Sequence, residues 1–272
     1  MSGARTFPAP PTPTVPIGIW SARHRELKSS GCVLDLVIPA LNEEHRIGPT
    51  LDTICGTAAA RQWSLRVIVV DNGCVDATLD AVASARSHDI PIEVIGCKTR
   101  GKGAAVRAGV EHAVAPYVGY CDADLSTPPD VIGTAADLLA LGWDVVVGSR
   151  RCVGASYEVT QPPLRRIGGV VFRSLARRIL PTISDTQCGF KVFRTPVAKR
   201  VFALSFVDGF AFDVEVLARA VNLGYSVTEL PVSWSDRSGS TLRPRADGLQ
   251  AFLDLRYLTR SLRAAPSEAS RL

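Results

Sequence analysis

Two aspartates stand two residues apart where an apolar segment of the sequence ends. Asp122 and Asp124 follow a stretch, Ala115–Tyr120, that is typical of a strand. A chain that turns at the carboxyl end of a strand can aim both carboxylates at one cation. Mg²⁺ takes one or two carboxylates together with substrate phosphates. The pair therefore predicts a metal and nucleotide site, and a solvated strand-to-helix turn is the alternative.

Two further strand ends carry groups that could hold a nucleoside. The segment Pro39-Ala40-Leu41-Asn42-Glu43 ends the first predicted strand, and Glu43 with the backbone around Pro39 and Ala40 could bind a base or ribose. A simple turn is the alternative. Asp71 ends the second strand, where its carboxylate could accept a hydrogen bond from a base N–H or a ribose hydroxyl. Asn72-Gly73 favours a turn with positive φ, and the alternative role here is Asp76 as a helix cap.

A lysine lies between two glycines immediately before a predicted helix, in Gly101-Lys102-Gly103. The glycines let the backbone approach a phosphate, and Lys102 adds positive charge near the helix amino terminus. The segment is not a Walker loop, because the Gly-x-x-x-x-Gly-Lys-Ser/Thr spacing is absent.

The elements that position these motifs alternate regularly. Short loops join predicted strands to predicted helices, which favours a mostly parallel sheet covered by helices, with ligands beyond the carboxyl ends of the strands. Thr127 is predicted to cap a helix that begins at the following prolines. The predicted strands are 33–39, 66–71, 92–95, 117–122, 144–149 and 225–234, and the predicted helices are 43–60, 76–88, 102–114, 128–141, 162–180, 211–222 and 246–263.

Composition narrows the class of protein. The chain has 272 residues, a hydrophobic content of 46% and a net charge of +5, which is ordinary for a globular protein. Its seven scattered cysteines form no Cys-x-x-Cys pair, so neither a disulfide framework nor a zinc site is expected. No window offers roughly 18 uninterrupted apolar residues, and prolines interrupt residues 8–16, where a signal peptide would need an apolar core. We therefore expect a cytoplasmic protein.

Positive charge is concentrated in a predicted amphipathic helix. The stretch Gln161–Leu180 contains five arginines and no acidic residue. One face is apolar, and Arg166, Arg173 and Arg177 lie opposite. Such a helix can lie in a headgroup layer, so a peripheral membrane contact is expected; packing against the core is the alternative. Nucleic-acid binding is not expected, because aromatic interleaving and an RNA-binding signature are missing. The apolar face comprises Leu164, Ile167, Val171, Phe172, Leu175 and Ile179.

Taken in order, the motifs resemble the family-two inverting glycosyltransferases. The resemblance covers about residues 33–260 and implies the α/β GT-A fold of nucleotide-diphospho-sugar transferases. Within the family the chain is most similar to the dolichyl-phosphate β-glucosyltransferase and polyprenyl-phosphate sugar synthase branch. The ordered motifs are Pro-Ala-Leu-Asn-Glu, Asp-Asn-Gly-x-x-Asp-x-Thr, Gly-Lys-Gly, Asp-Ala-Asp and Gly-Ser-Arg; the branch is indicated by Asp185-Thr-Gln-Cys-Gly-Phe-Lys-Val-Phe, Phe212-Asp213-Val-Glu215 and Trp234 followed by Ser238-Gly-Ser240.

The resemblance implies roles for the donor-side residues. Glu43 and Asp71 would contact the nucleotide, Lys102 its phosphate end, and Asp124 a Mg²⁺ or Mn²⁺ ion. Asp122 would join the metal or the nucleotide-sugar site. Ser126 stands where mannosyl enzymes of the branch carry Gln, so the resemblance does not extend to a third protein ligand for the metal.

The acceptor determines which further residues are needed. A lipid phosphate is largely dianionic at pH 7 and attacks without a general base, and Arg150, Arg165 and Arg166 are the candidates to hold it. A hydroxyl acceptor would need a base, for which Asp213 or Glu215 is available. The leading prediction is transfer of a hexose, glucose by preference, from a UDP-sugar to a polyprenyl phosphate. The alternatives are a hydroxyl acceptor, GDP-mannose as donor, and a non-catalytic sugar-nucleotide-binding partner.

The predicted domain organisation is simple. Residues 1–30 are a Pro-rich leader that we expect to be flexible, and 265–272 form a flexible tail. A single glycosyltransferase domain spans 31–264. Within it, 31–150 form the nucleotide-sugar half and 151–264 the acceptor half.

Overall fold

A seven-stranded sheet forms the centre of the molecule. The computed structural model describes residues 33–158, 163–235 and 246–264. The strand order is β3-β2-β1-β4-β7-β5-β8, and every neighbouring pair is parallel except those that include β7. A second sheet pairs β6 with β9. The strands are β1 (Leu34–Ala40), β2 (Leu65–Asp71), β3 (Ile92–Gly96), β4 (Tyr117–Tyr120), β5 (Val145–Ser149), β6 (Ser156–Glu158), β7 (Lys191–Arg194), β8 (Val227–Pro231) and β9 (Ser233–Ser235).

Helices cover both faces of the central sheet, as the near-continuous apolar strands require. Neighbouring side chains of β1 point to opposite faces, so that Val37 packs in one apolar cluster and Leu36 in the other. The helices are α1 (Ile47–Ala60), α2 (Thr78–Ser84), α3 (Lys102–His112), α4 (Val131–Ala140), α5 (Pro163–Ile179), α6 (Thr195–Ala203), α7 (Phe212–Asn222) and α8 (Ala246–Ala264). The cluster of Val37 contains residues of α3 and α5 to α8, and that of Leu36 contains residues of α1, α2 and α4.

The mixed α/β fold is confirmed, but the strands β6 and β7 and the helix α6 were missed. Strand β7 lies between β4 and β5 and runs antiparallel to both, and α6 follows it directly. The sequence Lys-Val-Phe-Arg is short and starts with a charged residue, so it lacks the apolar pattern of a central strand. Lys191 is nevertheless fully buried. Its ammonium is satisfied by the buried carboxylate of Asp213 and by the carbonyl of Cys188, which makes that position possible.

Several predicted boundaries were wrong, among them the start of α1, which is Ile47 rather than residue 43, and the end of α2, which is Ser84 rather than residue 88. Helix α4 begins at Val131, and Asp130 rather than Thr127 precedes its first turn. The prolines 128 and 129 form the turn before the helix, where their carbonyls accept from Val131 and Ile132. The single strand predicted over 225–234 is divided into β8 and β9, which pair in different sheets.

The second half of helix α5 is the part whose side chains the structure describes, and its apolar face packs against the core. Phe172, Leu175 and Ile179 pack against the cluster of Val37, and Ala176 is buried within it. Arg177 and Arg178 are exposed. This half of the face is therefore occupied by the core, contrary to the expected contact with a membrane. The side chains of residues 163–168 and 171, including Arg165 and Arg166, lie outside the described residues. Among the helices that the structure describes, none combines the length and apolarity needed to cross a bilayer.

Candidate active site

Asn72 ties together three loops at the carboxyl edge of the sheet. Its backbone N–H donates to the carbonyl of Ala40 (2.9 Å), which ends β1. Its side-chain amide donates to the carbonyl of Thr99 (2.7 Å), and its Oδ1 accepts from Gly101 N (2.8 Å). Asn72 is buried, and Gly73 after it has φ of +88°, as the Asn-Gly pair predicted. Asn72 therefore fixes the Gly-Lys-Gly loop against the ends of β1 and β2.

The two candidate nucleoside-binding carboxylates lie on adjacent loops. Asp71 Oδ1 accepts from the backbone N–H groups of Cys74 (2.8 Å) and Gly73 (3.0 Å). The hydrogen bond from Cys74 is the largest cause that holds the pKa of Asp71 below its usual value. The backbone N–H of Glu43 donates to Thr78 Oγ1 (2.8 Å), which joins the loop after β1 to the start of α2. Asp76 Oδ1 in turn accepts from the N–H of Thr78, but Ala77 rather than Asp76 precedes the first turn of α2, so the predicted cap was one residue off.

Glu43 is half-buried and paired with Arg46, whose Nη2 lies 2.6 Å from its Oε2. Burial raises the pKa of Glu43, and Arg46 opposes that rise. The negative charges of Asp124 and Asp122 add to the increase in the pKa of Glu43. The carboxylates of Glu43, Asp122 and Asp124 are thus close enough to influence one another electrostatically. Pro39 and Ala40 lie at the end of β1 beneath Glu43, and Ala40 is buried, so its polar contribution is its backbone carbonyl.

Lys102 and Asp122 form an ion pair at the centre of this edge. Lys102 Nζ lies 2.5 Å from Asp122 Oδ1, and its ammonium is 5.8 Å from the ring centroid of Phe212. Burial alone would lower the pKa of Lys102, but the carboxylates of Asp122 and Asp213 outweigh it and raise that pKa. Burial would likewise raise the pKa of Asp122, but Lys102, Lys191 and Arg150 together lower it. Both groups are therefore charged at neutral pH.

Asp124 follows on a tight turn. Leu125 has φ of +52°, and Asp124 Oδ1 accepts from the backbone N–H of Ser126 (3.0 Å). Among the described residues, no three His, Cys, Asp or Glu side chains converge as a metal site would require. Half-exposed Asp124 and Asp122 still offer the hard oxygen ligands that Mg²⁺ and Mn²⁺ prefer, with substrate phosphates completing the shell. The donor set fits a metal held jointly by protein and nucleotide.

Gly189 allows the backbone of the segment before β7 to approach the Asp122 carboxylate. A Cβ at Gly189 would overlap Asp122 Oδ2. Asp122 therefore has Lys102 against Oδ1 and the Gly189 backbone beside Oδ2. The sequence predicted no role for Gly189, and the signal that could have revealed it is its place in the Thr-Gln-Cys-Gly-Phe-Lys motif.

Arg150, a candidate for the acceptor phosphate, is held by a buried carboxylate. Its Nε and Nη2 donate to both oxygens of Asp185 at 2.6 and 2.8 Å, and its guanidinium lies 5.3 Å from the Trp234 ring centroid. Burial would raise the pKa of Asp185, but its hydrogen bond and ion pair with Arg150 lower it. The Asp185–Arg150 pair fixes the end of β5 near Asp122. Asp185 had no predicted role of its own.

Asp213, the candidate base, lies in a buried cluster behind Asp122. Its Oδ1 accepts from Lys191 Nζ (2.5 Å) and from the Tyr120 hydroxyl (2.6 Å). Asp213 is 3% exposed and Lys191 is fully buried. Glu215 points elsewhere: its carboxylate accepts from the backbone N–H groups of Phe206 and Val207 and pairs with Arg219. The two carboxylates thus do not share a face, as their spacing predicted, and Glu215 stabilises the loop before α7.

The sequence is similar to a known protein family and to several characterised relatives. Residues 35–202 match the model of Glycosyl transferase family 2. The chain is 34% identical to a dolichyl-phosphate beta-glucosyltransferase of Drosophila melanogaster, over 85% of this chain and 77% of that protein. It is 32% identical to the human protein of the same name, over 83% and 76%. It is 31% identical to a dolichyl-phosphate hexose transferase of Haloferax volcanii, over 79% and 89%.

Solved structures show the same fold. Glucosyl-3-phosphoglycerate synthase from Mycobacterium tuberculosis, crystallised with Mn²⁺, UDP-glucose and phosphoglyceric acid, superposes with a TM-score of 0.67. The alignment covers 94% of this chain and 86% of that one at 18% identity. At that identity the likeness establishes the fold alone. With the family match and the relatives above, it shows that this chain is a glycosyltransferase of family 2 with the GT-A fold.

Proposed function

We propose that this glycosyltransferase transfers glucose from UDP-glucose to a dolichyl or other polyprenyl phosphate, with inversion at the anomeric carbon. The observation that carries the proposal is the grouping of Lys102, Asp122 and Asp124 at the carboxyl edge of the sheet. There one ammonium and two carboxylates could receive a metal-bound pyrophosphate. The names of the relatives supply the sugar and the acceptor, and the Mn²⁺ and UDP-glucose complex of a structural neighbour is consistent with the donor.

In this proposal the donor lies across the ends of β1, β2 and β4. Asp71 and Glu43 contact the nucleoside, with the backbone at Pro39 and Ala40 beneath it. Lys102 binds the pyrophosphate, Asp124 holds a divalent cation, and Asp122 orients Lys102 and the sugar end of the donor. The cation would neutralise charge on the leaving diphosphate.

The proposed acceptor needs no general base. A phosphate monoester has a second pKa near 6 and is largely dianionic at pH 7, so its oxygen is already a nucleophile. A single in-line attack on the anomeric carbon inverts its configuration. Arg150, Arg165 and Arg166 remain the proposed phosphate-binding residues. Asp185 holds the Arg150 guanidinium in a fixed orientation, which suits a positioning group.

The buried position of Asp213 also favours a phosphate acceptor. A base must reach the hydroxyl proton within hydrogen-bond distance. Asp213 is instead enclosed by Tyr120 and Lys191. A hydroxyl acceptor would therefore require this cluster to open.

A product assay on the purified full chain tests the proposal. The protein is incubated with Mg²⁺ or Mn²⁺ and labelled UDP-glucose or GDP-mannose, each with and without polyprenyl phosphate. We expect label to enter the lipid phase only with UDP-glucose, metal and lipid phosphate together. If label entered the lipid phase from GDP-mannose and not from UDP-glucose, the proposed donor would be wrong. If label were transferred to hydroxyl compounds and not to the lipid, the proposed acceptor would be wrong.

A further inference from the structure

Helix α8 buries one face and exposes another that is rich in aromatic and basic side chains. Ala251, Leu255 and Leu258 lie in the core. At about 100° per residue, exposed Gln250 lies just beyond an arc of roughly 140° that holds five other exposed side chains. They are Phe252 (37% exposed), Leu253 (49%), Tyr257 (61%), Arg256 and Arg260.

Phe206, from the loop before α7, extends this arc. Its ring is 4.9 Å from that of Tyr257 and perpendicular to it, and it is 40% exposed. Arg256 lies 6.0 Å from the ring centroid of Phe252. We call the surface formed by Phe206, Phe252, Leu253, Arg256, Tyr257 and Arg260 the aromatic–arginine face.

The charge on the helical part of this face is one-sided, and Asp208 in the loop beside Phe206 is paired with Arg107 at 2.8 Å. No acidic residue falls on the arc of α8, and neither Arg256 nor Arg260 forms a salt bridge with another residue that the structure describes. Asp254 lies beyond the edge of the arc, half-buried, and accepts from Gln250 Nε2 (2.8 Å). Glu215, the carboxylate beneath Phe206, is fully buried and paired with Arg219.

The same loop connects this face to the candidate active site. Gly103 N donates to the carbonyl of Asp208 (2.8 Å), and a Cβ at Gly101 would overlap that carbonyl. The loop that carries Phe206 therefore packs on one side against Gly101-Lys102-Gly103 and on the other against α8. A surface bound at the aromatic–arginine face would lie beside the site.

We infer that the aromatic–arginine face docks this chain onto an anionic membrane surface. Exposed aromatic and aliphatic groups enter the boundary between headgroups and acyl chains, while arginines between them attract anionic lipid. Both features are present on one face, and the arginines favour an anionic lipid surface over an uncharged partner. The inference rests on the proposed function in one respect, since a lipid-phosphate acceptor would reach Lys102 and Asp122 from such a surface.

Vesicle sedimentation tests the inference without donor, metal or acceptor. The purified full chain is mixed with vesicles of phosphatidylcholine alone or with added phosphatidylglycerol. We expect binding to the anionic vesicles that weakens with salt. Arg256→Gln/Arg260→Gln should reduce the partition coefficient by roughly 30-fold, since each charge near such a surface contributes about a factor of five. Leu253→Ser/Tyr257→Ser should reduce it by at least about tenfold.

Matched controls change exposed residues elsewhere. Arg86→Gln/Lys199→Gln removes two exposed basic side chains for which the described residues show no salt bridge, and Val114→Ser/Leu141→Ser removes two exposed apolar side chains. Both should bind as the unaltered chain does. Circular dichroism and melting temperature show whether each variant is folded, and the conservative Arg256→Lys/Arg260→Lys should retain binding.

Two results would overturn the inference. One is that the unaltered chain ignores anionic vesicles. The other is that the face variants bind as tightly as the controls. A dimer that only the face variants dissociate, with no vesicle binding, would identify the face as a contact between copies and would also overturn it. The proposed function is tested separately, by assaying glucose transfer to a short, water-soluble isoprenyl phosphate. The face variants should still glycosylate this acceptor.

Discussion

The ammonium of Lys102 lies 2.5 Å from Oδ1 of Asp122, and the Gly189 backbone lies against Oδ2 of the same carboxylate. Residues from two other segments of the chain thus determine where one carboxylate points. Asp122 cannot move toward Gly189, and its ion pair aligns Lys102 beside the carboxyl edge of the sheet. The donor-side predictions below follow from this relationship.

Replacing Lys102 should weaken donor binding. A charge-assisted hydrogen bond contributes about 1.5–3 kcal/mol, so Lys102→Met should raise the Kd for UDP-glucose by roughly 10- to 100-fold. Calorimetry of donor binding measures this change in Kd. The control is Lys98→Met, which removes an exposed lysine four residues before Lys102. An unchanged Kd in Lys102→Met would remove Lys102 from the donor site.

Asp124→Ala should abolish metal-dependent transfer, because Asp124 is the proposed protein ligand of the cation. We expect weaker Mn²⁺ binding in the presence of UDP, measured by electron paramagnetic resonance, and a loss of turnover. Asp130→Ala, an exposed aspartate before α4, serves as the control. Full activity in Asp124→Ala would contradict the metal assignment.

Gly189→Ala should impair the site more than the fold. The added Cβ must displace the Asp122 carboxylate, so we expect kcat/KM to fall at least about tenfold. Gly48→Ala, at the second residue of α1, meets only ordinary contacts and should change the free energy of unfolding by less than about 1 kcal/mol. Equal kinetics in the two variants would show that Asp122 tolerates the change.

Asp213→Asn should reduce stability, because it leaves Lys191 buried without a carboxylate. Breaking one partner of a buried ion pair costs about 3–5 kcal/mol, which urea unfolding measures. Replacing both charges, in Asp213→Leu/Lys191→Met, should restore much of that loss.

The same variant also separates the two acceptor hypotheses. If the acceptor is a phosphate, Asp213→Asn should change the size of kcat but leave the shape of its pH profile unchanged. A folded variant that binds the donor but loses a pH-dependent limb of kcat would identify Asp213 as a base for a hydroxyl acceptor.

Asp137 on α4 predicts a pH-dependent stability. Burial raises the pKa of Asp137 to about 6, above its value in the unfolded chain. Its contribution is therefore fully present below about pH 4 and is lost as the pH rises through about 6. Asp137→Asn should raise the free energy of unfolding at about pH 8 by on the order of 1–2 kcal/mol, after allowance for its partial exposure, and should change little near pH 4. Equal effects at both values would contradict the assignment.

The sequence by itself determined the alternating strands and helices and the motifs at the strand ends. Period and loop length are local properties, so Asp71, Lys102, Asp122 and Asp124 could be assigned to one edge of a parallel sheet. The family followed from the order of those motifs. The predicted start of α4 after Thr127 was wrong, because the turn formed by the two prolines places the first helical residue later in the chain.

Only the tertiary structure decided how distant residues meet. Lys191 could not be recognised as a central strand residue, because its partner Asp213 lies 22 positions away and comes into contact only when α7 packs on the sheet. The role of Gly189 depends on the approach of Asp122, and that of Asn72 on loops that end three different elements. Whether the apolar face of α5 met lipid or core was likewise undecidable from periodicity, which is the same for both. For the described second half of that face, packing gave the answer, because burial depends on what the rest of the chain places opposite each side chain.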